Sequence, residues 1–321
     1  GKWWEGYDPQ ELYVQNHSLS GHIWNVWDWP QGTSVPTQKY YDNFFNRTVD
    51  MINRYNPDLV YFADSVLPFW PINDTGLDVV SHYYNRNMRL NGGRLDAVVF
   101  GKKLQPEHKK AIVWDVEKGV PPTGQPEAWQ TCTCLGNWHY DRSCYVDNWY
   151  KSAQTVVHML IDIVSKNGNM LLSVPIKGDG TIDDKEEKIL EDIAAWMDIN
   201  KEAIFGTRPW AVFGEGPSTE NAAPLDGPGF NEGKNVPYTP SDIRFVKKGD
   251  IIYAHVLAWP DNNEVIIKSL APGNGLHAAG IKRVELLGAG KVSHKLSADG
   301  LVVKLPRGKR PNDISFVLKI S

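Results

Sequence analysis

Long apolar runs are missing from this chain of 321 residues: the best, over 156–164, is interrupted by His158 and Asp162 and is too short to cross a bilayer. No transmembrane segment is expected. An excess of either charge is missing too, with 34 Lys and Arg against 38 Asp and Glu, so there is neither a basic face for nucleic acid nor a polybasic membrane anchor. Neither nucleic acid nor a membrane is expected as a partner, and a neutral or polar substrate is the easier fit. Cysteine is scarce: Cys132, Cys134 and Cys144 form an odd C-x-C-x9-C set with only His139 between them. That spacing is a poor zinc pattern, which leaves buried free thiols or one strained disulfide, and no metal is expected. P-loop, G-x-G-x-x-G, G-x-S-x-G and H-E-x-x-H patterns are all absent, so nucleotide, serine-hydrolase and zincin chemistries have no anchor. The first residues show neither an initiator Met nor a signal peptide.

Aromatic rings are what the chain has in quantity. Its 13 Trp and 13 Tyr cluster at Trp3, Trp4, Trp24, Trp27 and Trp29, and again at Trp129, Trp138, Tyr140, Tyr145, Trp149 and Tyr150. Many lie in Gly/Pro/Asp-rich stretches without helical or strand periodicity. Rigid rings placed this way cover the C–H faces of a pyranose as readily as they fill a core. Sequons begin at Asn16, Asn46 and Asn73 and add little without knowledge of the host.

Two regimes follow one another. Helices are expected over 38–55, 77–90, 147–165 and 184–200, alternating with short apolar strands over 59–62, 96–100, 111–117 and 169–174. Repeated βα units of this kind make a parallel sheet with right-handed crossovers. After residue 207 the pattern turns to short alternating runs over 242–246, 251–257, 264–267, 281–287, 301–305 and 314–320, separated by Asn, Gly and Pro. These belong to a β-sandwich, reached through a long linking loop over 214–240. The fold class is therefore α/β plus all-β: part of a TIM-like barrel over 1–206, then a C-terminal β-sandwich over 207–321. A closed barrel needs eight strands, and only about half are visible.

The candidates for chemistry are carboxylates at strand ends, where barrels carry their functional groups. Strand 59–62 is followed by Ala63 and Asp64, of which alternation allows only one to face a site. Strand 111–117 ends on Glu117, just before a Gly-Val-Pro-Pro loop. Two acids on the ends of different parallel strands are the minimum set for glycoside hydrolysis. Glu117 reads equally well, on its own, as a solvated partner of a neighbouring lysine.

Y-x-P-D-L-V-Y-F over 55–62, I-V-S-K-N-G-N-M-L-L-S-V over 163–174 with G-D-G-T-I over 178–182, N-K-E-A-I-F-G-T-R-P-W over 200–210 and Y-A-H-V-L-A-W-P over 253–260 together carry a resemblance. The chain resembles the α-L-fucosidases of glycoside hydrolase family 29 along nearly its whole length. That resemblance implies a TIM-like catalytic barrel with a C-terminal β-sandwich, release of terminal α-L-fucose with retention of configuration, and no organic cofactor. It implies a fucosylated oligosaccharide or glycoprotein as partner, and a secreted, periplasmic or lysosomal address.

Carried over residue by residue, the resemblance puts the nucleophilic Asp six positions after Pro57, where Ala63 stands, with Tyr61 as the aromatic two positions earlier. Ala63 thus reads as an Asp→Ala replacement of the kind made to trap a substrate complex, and Asp64 as a bystander or a minor contact. Glu117, in W-D-x-E-[KR]-G, takes the general acid/base role; Trp138 and the adjacent His139 take substrate-binding roles. The expectation is a catalytically silent retaining exo-α-L-fucosidase. The alternative is a natural non-catalytic fucose-binding protein in which Ala63 is the ordinary residue. The N-terminal half of the barrel is expected from a second polypeptide or from a segment ahead of Gly1.

Overall fold

The computed structural model describes residues 5–6, 36–63, 67–225, 230–234, 236–276, 280–308 and 310–321. Asp64, the sequon at Asn16 and the early tryptophans therefore lie outside the described residues. The chain divides into two compact units, 1–115 and 116–321.

In the first unit, helix α1 (Gln38–Tyr55) places Tyr41, Phe44, Phe45 and Ile52 along one face, at the spacing that lets a helix bury one side. It stops at Asn56, whose left-handed backbone (φ 44°) returns its N–H to the Ile52 carbonyl at 3.0 Å. Strand β1 (Leu59–Phe62) follows at once. Helix α2 (Thr75–Leu90) starts two residues earlier than expected, because the Asn73 side chain accepts the Thr75 N–H at 2.9 Å. It ends at Gly92 and Gly93, both at positive φ, as the sequence foretells. Strand β2 (Val98–Gly101) pairs in parallel with β1, Leu59 opposite Val98, and with the start of β3 (Val113–Glu117). Val60, Val79, Val80, Tyr83, Val99 and Ile112 close the core between helices and strands.

The second unit opens with the last residues of β3 and contains a strand that the sequence hides. Strand β4 (Trp129–Cys134) is buried at all six positions, yet it reads W-Q-T-C-T-C and looks like part of a loop. It pairs in parallel with β5 (Gly168–Ser173), Trp129 opposite Gly168. A Cβ on Gly168 would come within 2.5 Å of the Trp129 ring, so that crossing requires glycine. The helix expected over 147–165 begins only at Ala153: α3 (Arg142–Asp147) ends ahead of it on left-handed Asn148, and α4 (Ala153–Ser165) starts afresh with Ser152 accepting the Thr155 N–H. Helix α5 (Asp184–Asn200) keeps its expected bounds, Asp183 accepting the N–H groups of Lys185 and Glu186 at 2.9 Å each.

Beyond it come β6 (Arg208–Glu215), a short helix α6 (Pro217–Glu220), β7 (Ile243–Lys248), β8 (Ile251–Val256), β9 (Glu264–Ile267), β10 (Val284–Leu286), β11 (Gly290–Lys291), β12 (Ser293–Ser297), β13 (Gly300–Lys304) and β14 (Phe316–Ile320). They form a six-stranded sheet in the order β11-β10-β14-β8-β7-β6 and a three-stranded sheet β12-β13-β9. Phe245, Ile252, Ala254, Val265, Ile267, Leu301 and Phe316 fill the space between the sheets. The opposite face of the larger sheet packs Val246, Tyr253 and Val317 against Val157 and Ile161 of α4 and Trp196 of α5. The expected architecture, parallel βα units followed by a sandwich, is what the chain adopts. No helix among the described residues is long and apolar enough to cross a membrane.

His255 on β8 is fully buried against this helical layer, its Nε2–H donating to the Ala203 carbonyl at 3.1 Å and its Nδ1 without a partner. Burial pulls its pKa down from 6.5 to about 4. Between those values the unfolded chain binds a proton that the folded chain refuses, so stability is full above pH 6.5 and declines as pH falls toward 4, by up to about 3 kcal/mol. His255→Gln is expected to flatten that slope in urea unfolding measured across the interval. An unchanged slope would assign the pH dependence elsewhere.

Candidate active site

The first unit presents its candidate residues at the end of β1. Asn56 and Pro57 end the helix and launch four strand residues, so Ala63 is the first residue past the strand, and it is exposed. The Tyr61 hydroxyl donates to Asp115 Oδ2 at 2.9 Å, and its ring meets Phe100 edge-on. Asp115 is fully buried and has the buried Lys102 ammonium 3.7 Å away. Burying a carboxylate is costly unless it is paired and hydrogen-bonded, and here the Lys102 ammonium and the Tyr61 phenol both serve it. Asp115 was not singled out in the sequence; the signal available was an acid inside an otherwise apolar strand, I-V-W-D-V. Beside it, Lys109 lies 3.4 Å over the Trp114 ring, and burial lowers its pKa.

The second unit holds Glu117, Trp138 and His139. Glu117 is the last residue of β3 and is half-buried. The strand ends because Lys118 turns into the left-handed region (φ 45°), uncommon for a residue with a side chain. Neighbouring groups hold that turn. The Lys118 N–H donates to the Cys132 carbonyl at 2.9 Å, and the buried Thr131 hydroxyl shares its proton between the carbonyls of Val116 (2.8 Å) and Gly119 (2.7 Å). The Lys118 ammonium stands 5.0 Å from the centre of the Trp138 ring, which brings Trp138 to the turn that carries Glu117. Trp138 and His139 are both exposed, on the loop after β4.

That loop is tied at both ends. The Lys151 N–H donates to the Leu135 carbonyl at 2.9 Å, and the Asn137 amide donates to Asp141, which caps α3 by accepting the Ser143 N–H. The Ser143 hydrogen bonds hold the Asp141 carboxyl below its usual range. Gly136 lies against Tyr150 and Cys144, where a Cβ would sit 3.0 Å from the Tyr150 ring. All three cysteines are buried and unbridged. Burial, with Asp141 nearby, raises the Cys144 pKa. A cleft of about 390 Å³ flanks the other side of the turn, lined by Gly119, Val120, His158, Asn231, Glu232 and Tyr238. Among the described residues no cluster of His, Cys, Asp or Glu could hold a metal ion.

An acid at a parallel-strand end, a fixed turn behind it and an exposed indole beside it suit a saccharide and proton transfer to it. The family model described as Alpha-L-fucosidase matches residues 11–202, and that described as Alpha-L-fucosidase C-terminal domain matches 234–321. The chain belongs to the alpha-L-fucosidase family. It is 26% identical over 286 residues to the tissue alpha-L-fucosidase of Bos taurus, covering 85% of this chain and 53% of that protein. To the tissue alpha-L-fucosidase of Homo sapiens it is 25% identical over 230 residues, 68% of this chain and 42% of that protein. The chain thus spans about half, or less, of these relatives. A Thermotoga maritima alpha-L-fucosynthase, an Asp→Gly variant in complex with alpha-L-Fuc-(1-2)-beta-L-Fuc-N3, shares the fold with a TM-score of 0.64 at 23% identity, over 89% of this chain and 56% of that one. A Bacteroides thetaiotaomicron alpha-L-fucosidase does so with a TM-score of 0.64 at 14% identity, over 90% of this chain and 63% of that one.

In this chain the Thr131 hydroxyl is the smallest group on which the Glu117 turn depends. Thr131→Val keeps the shape and removes the hydroxyl from two carbonyls, so unfolding in denaturant is expected to show a loss of about 1–3 kcal/mol. A loss below a few tenths of a kcal/mol would mean that the turn is held without it.

Proposed function

We propose that this chain is the part of a retaining exo-α-L-fucosidase of glycoside hydrolase family 29 that carries the general acid/base, Glu117, and the nucleophile position, which Ala63 fills with a methyl group. The observation that carries the reading is positional: within a chain of this family, Glu117 closes one parallel strand and Ala63 follows another, at the strand ends where such folds keep their chemistry. In double displacement one carboxylate attacks the anomeric carbon while an acid protonates the departing oxygen; the same acid, now a base, then activates water to cleave the glycosyl-enzyme. Glu117 supplies the acid and base steps. Trp138, with His139 next to it, covers the apolar face of the sugar, and Tyr61 with Asp115 forms the polar floor under the strand that bears position 63.

A methyl group at 63 cannot attack, so bond cleavage lacks its nucleophile while terminal α-L-fucose of a glycan or glycoconjugate still binds. The substrate calls for an exported protein, secreted, periplasmic or lysosomal. Ala63 also favours the second reading, a natural fucose-binding protein without catalysis.

Ala63→Asp is expected to raise hydrolysis of an aryl α-L-fucoside by roughly a thousandfold or more. Azide added to the Ala63 chain is expected to release the aryl group and leave fucosyl azide of inverted configuration. Ordinary fucosidase turnover by the Ala63 chain would refute the silent-site reading. L-Fucose binding with no gain from Ala63→Asp would select the binding protein.

A further inference from the structure

The Glu117 turn is held from a second direction, by a segment 111 residues further along the chain. Asn231 is buried, 2% exposed, and its side-chain amide makes three hydrogen bonds to backbone. Its Oδ1 accepts the Val120 N–H at 2.9 Å, and its Nδ2 donates to the Val120 carbonyl at 2.9 Å and the Ala223 carbonyl at 2.8 Å. The side chain so pairs with Val120 as a neighbouring strand residue would, and it also holds the Ala223 carbonyl. The next N–H, that of Glu232, donates to the Lys118 carbonyl at 3.0 Å. The Glu232 carboxylate then closes the clamp: Oε1 accepts from the Thr133 hydroxyl at 2.6 Å, and Oε2 lies 3.0 Å from the Lys151 ammonium. Lys151 in turn donates to the Cys134 carbonyl at 2.6 Å.

Such a clamp does more than fasten a loop. Lys118 sits at φ 45°, a conformation that costs energy in a residue with a side chain and persists only where the surroundings over-determine it. Thr131 and Cys132 fix the inner side of residues 116–119; Asn231 and Glu232 fix the outer side of 118–120. The backbone that aims Glu117 is therefore set by both. We infer that Asn231, seconded by Glu232, is a positioning residue for the acid/base: through residues 118–120 it holds Glu117 in the one orientation that both proton transfers need. The inference rests on Glu117 being the acid/base.

Asn231→Asp keeps the shape but replaces the donating NH2 with an oxygen facing two carbonyls. In the chain as it stands, amide hydrogen exchange at 118–120 is expected to speed up by about tenfold or more, with β7, β8 and β14 unchanged. In the Ala63→Asp background, Asn231→Asp is expected to lower kcat/KM, which reports the step that forms the glycosyl-enzyme, about a hundredfold on an alkyl or sugar fucoside, whose leaving oxygen needs the proton, and by less than about threefold on a dinitrophenyl fucoside, which does not. Glu117→Ala in that background sets the pattern to be matched. Asn231→Ser, which retains one hydrogen-bonding oxygen, serves if the Asp variant does not fold. Unchanged exchange at 118–120, or equal losses on both leaving groups, overturns the inference. A Glu117→Ala enzyme indifferent to the leaving group, or an Ala63→Asp chain without turnover, overturns the acid/base reading beneath it, and the exchange result shows which of the two has failed.

Discussion

One buried carboxylate between two cations organises the larger unit. Asp162, on α4, takes the Arg244 guanidinium of β7 at 2.5 Å on one oxygen and the Lys166 ammonium at 2.8 Å on the other, all three side chains almost wholly buried. Burial by itself would raise the Asp162 pKa, but the two cations more than offset it and hold the carboxyl below its usual range. Lys166 must share that carboxylate with a guanidinium that never loses its proton, so burial lowers its pKa. Arg244 also donates to the Ser218 hydroxyl at 2.8 Å, which draws α6 into the same network. Against an apolar cluster of equal volume such a group contributes little net stability; stranding one member costs about 3–5 kcal/mol. Its effect is to make misplacement expensive. The sandwich strand β7 and the barrel helix α4 share one low-energy arrangement.

From that point the constraint runs to the site through backbone contacts. The Lys166 carbonyl accepts the Trp129 indole N–H at 2.9 Å and the Gln125 N–H at 3.1 Å, so the end of α4 fixes the start of β4. Strand β4 then presents Thr131 and Thr133 on its way to the Trp138 loop, and these hydroxyls reach the Glu117 turn and Glu232. Each step uses a directed bond, and at the buried Trp129 and Thr131 an unmade bond would be costly. In the acid/base role proposed for it, Glu117 benefits from a backbone that does not move between giving and taking the proton.

Much of the fold was legible because its signals are local. Helices α1 and α5 have the bounds read from the sequence, since Asn56-Pro57 and Asp183 act on their own neighbours. The stop at Gly92-Gly93 and the apolar strands β1 and β5 were legible for the same reason. Strand β4 was not: Thr131, Thr133 and Gln130 look like loop residues until the tertiary structure supplies partners that allow them to be buried. Strand β12, S-H-K-L-S at the edge of the smaller sheet, and the break at Asn148 were also hidden, the first because an edge strand needs little apolar content, the second because a left-handed Asn is a local option that packing must select.

For the site, sequence determined which residues stand at strand ends. Spacing from Pro57 brings Ala63 past β1, and the W-D-V-E run brings Glu117 to the end of β3, because strand length and turn chemistry are written within a few residues. What only the tertiary structure decided is what surrounds them. Asp115 shared by Tyr61 and Lys102, Trp138 beside Lys118, and Asn231 reaching back 111 residues to Val120 are pairings between distant parts of the chain. The stretch 214–240 reads as a long linking loop, yet it holds two of the groups that fix the turn after Glu117. A side chain's type is a local fact; the partner that gives it a role is set by how the whole chain packs.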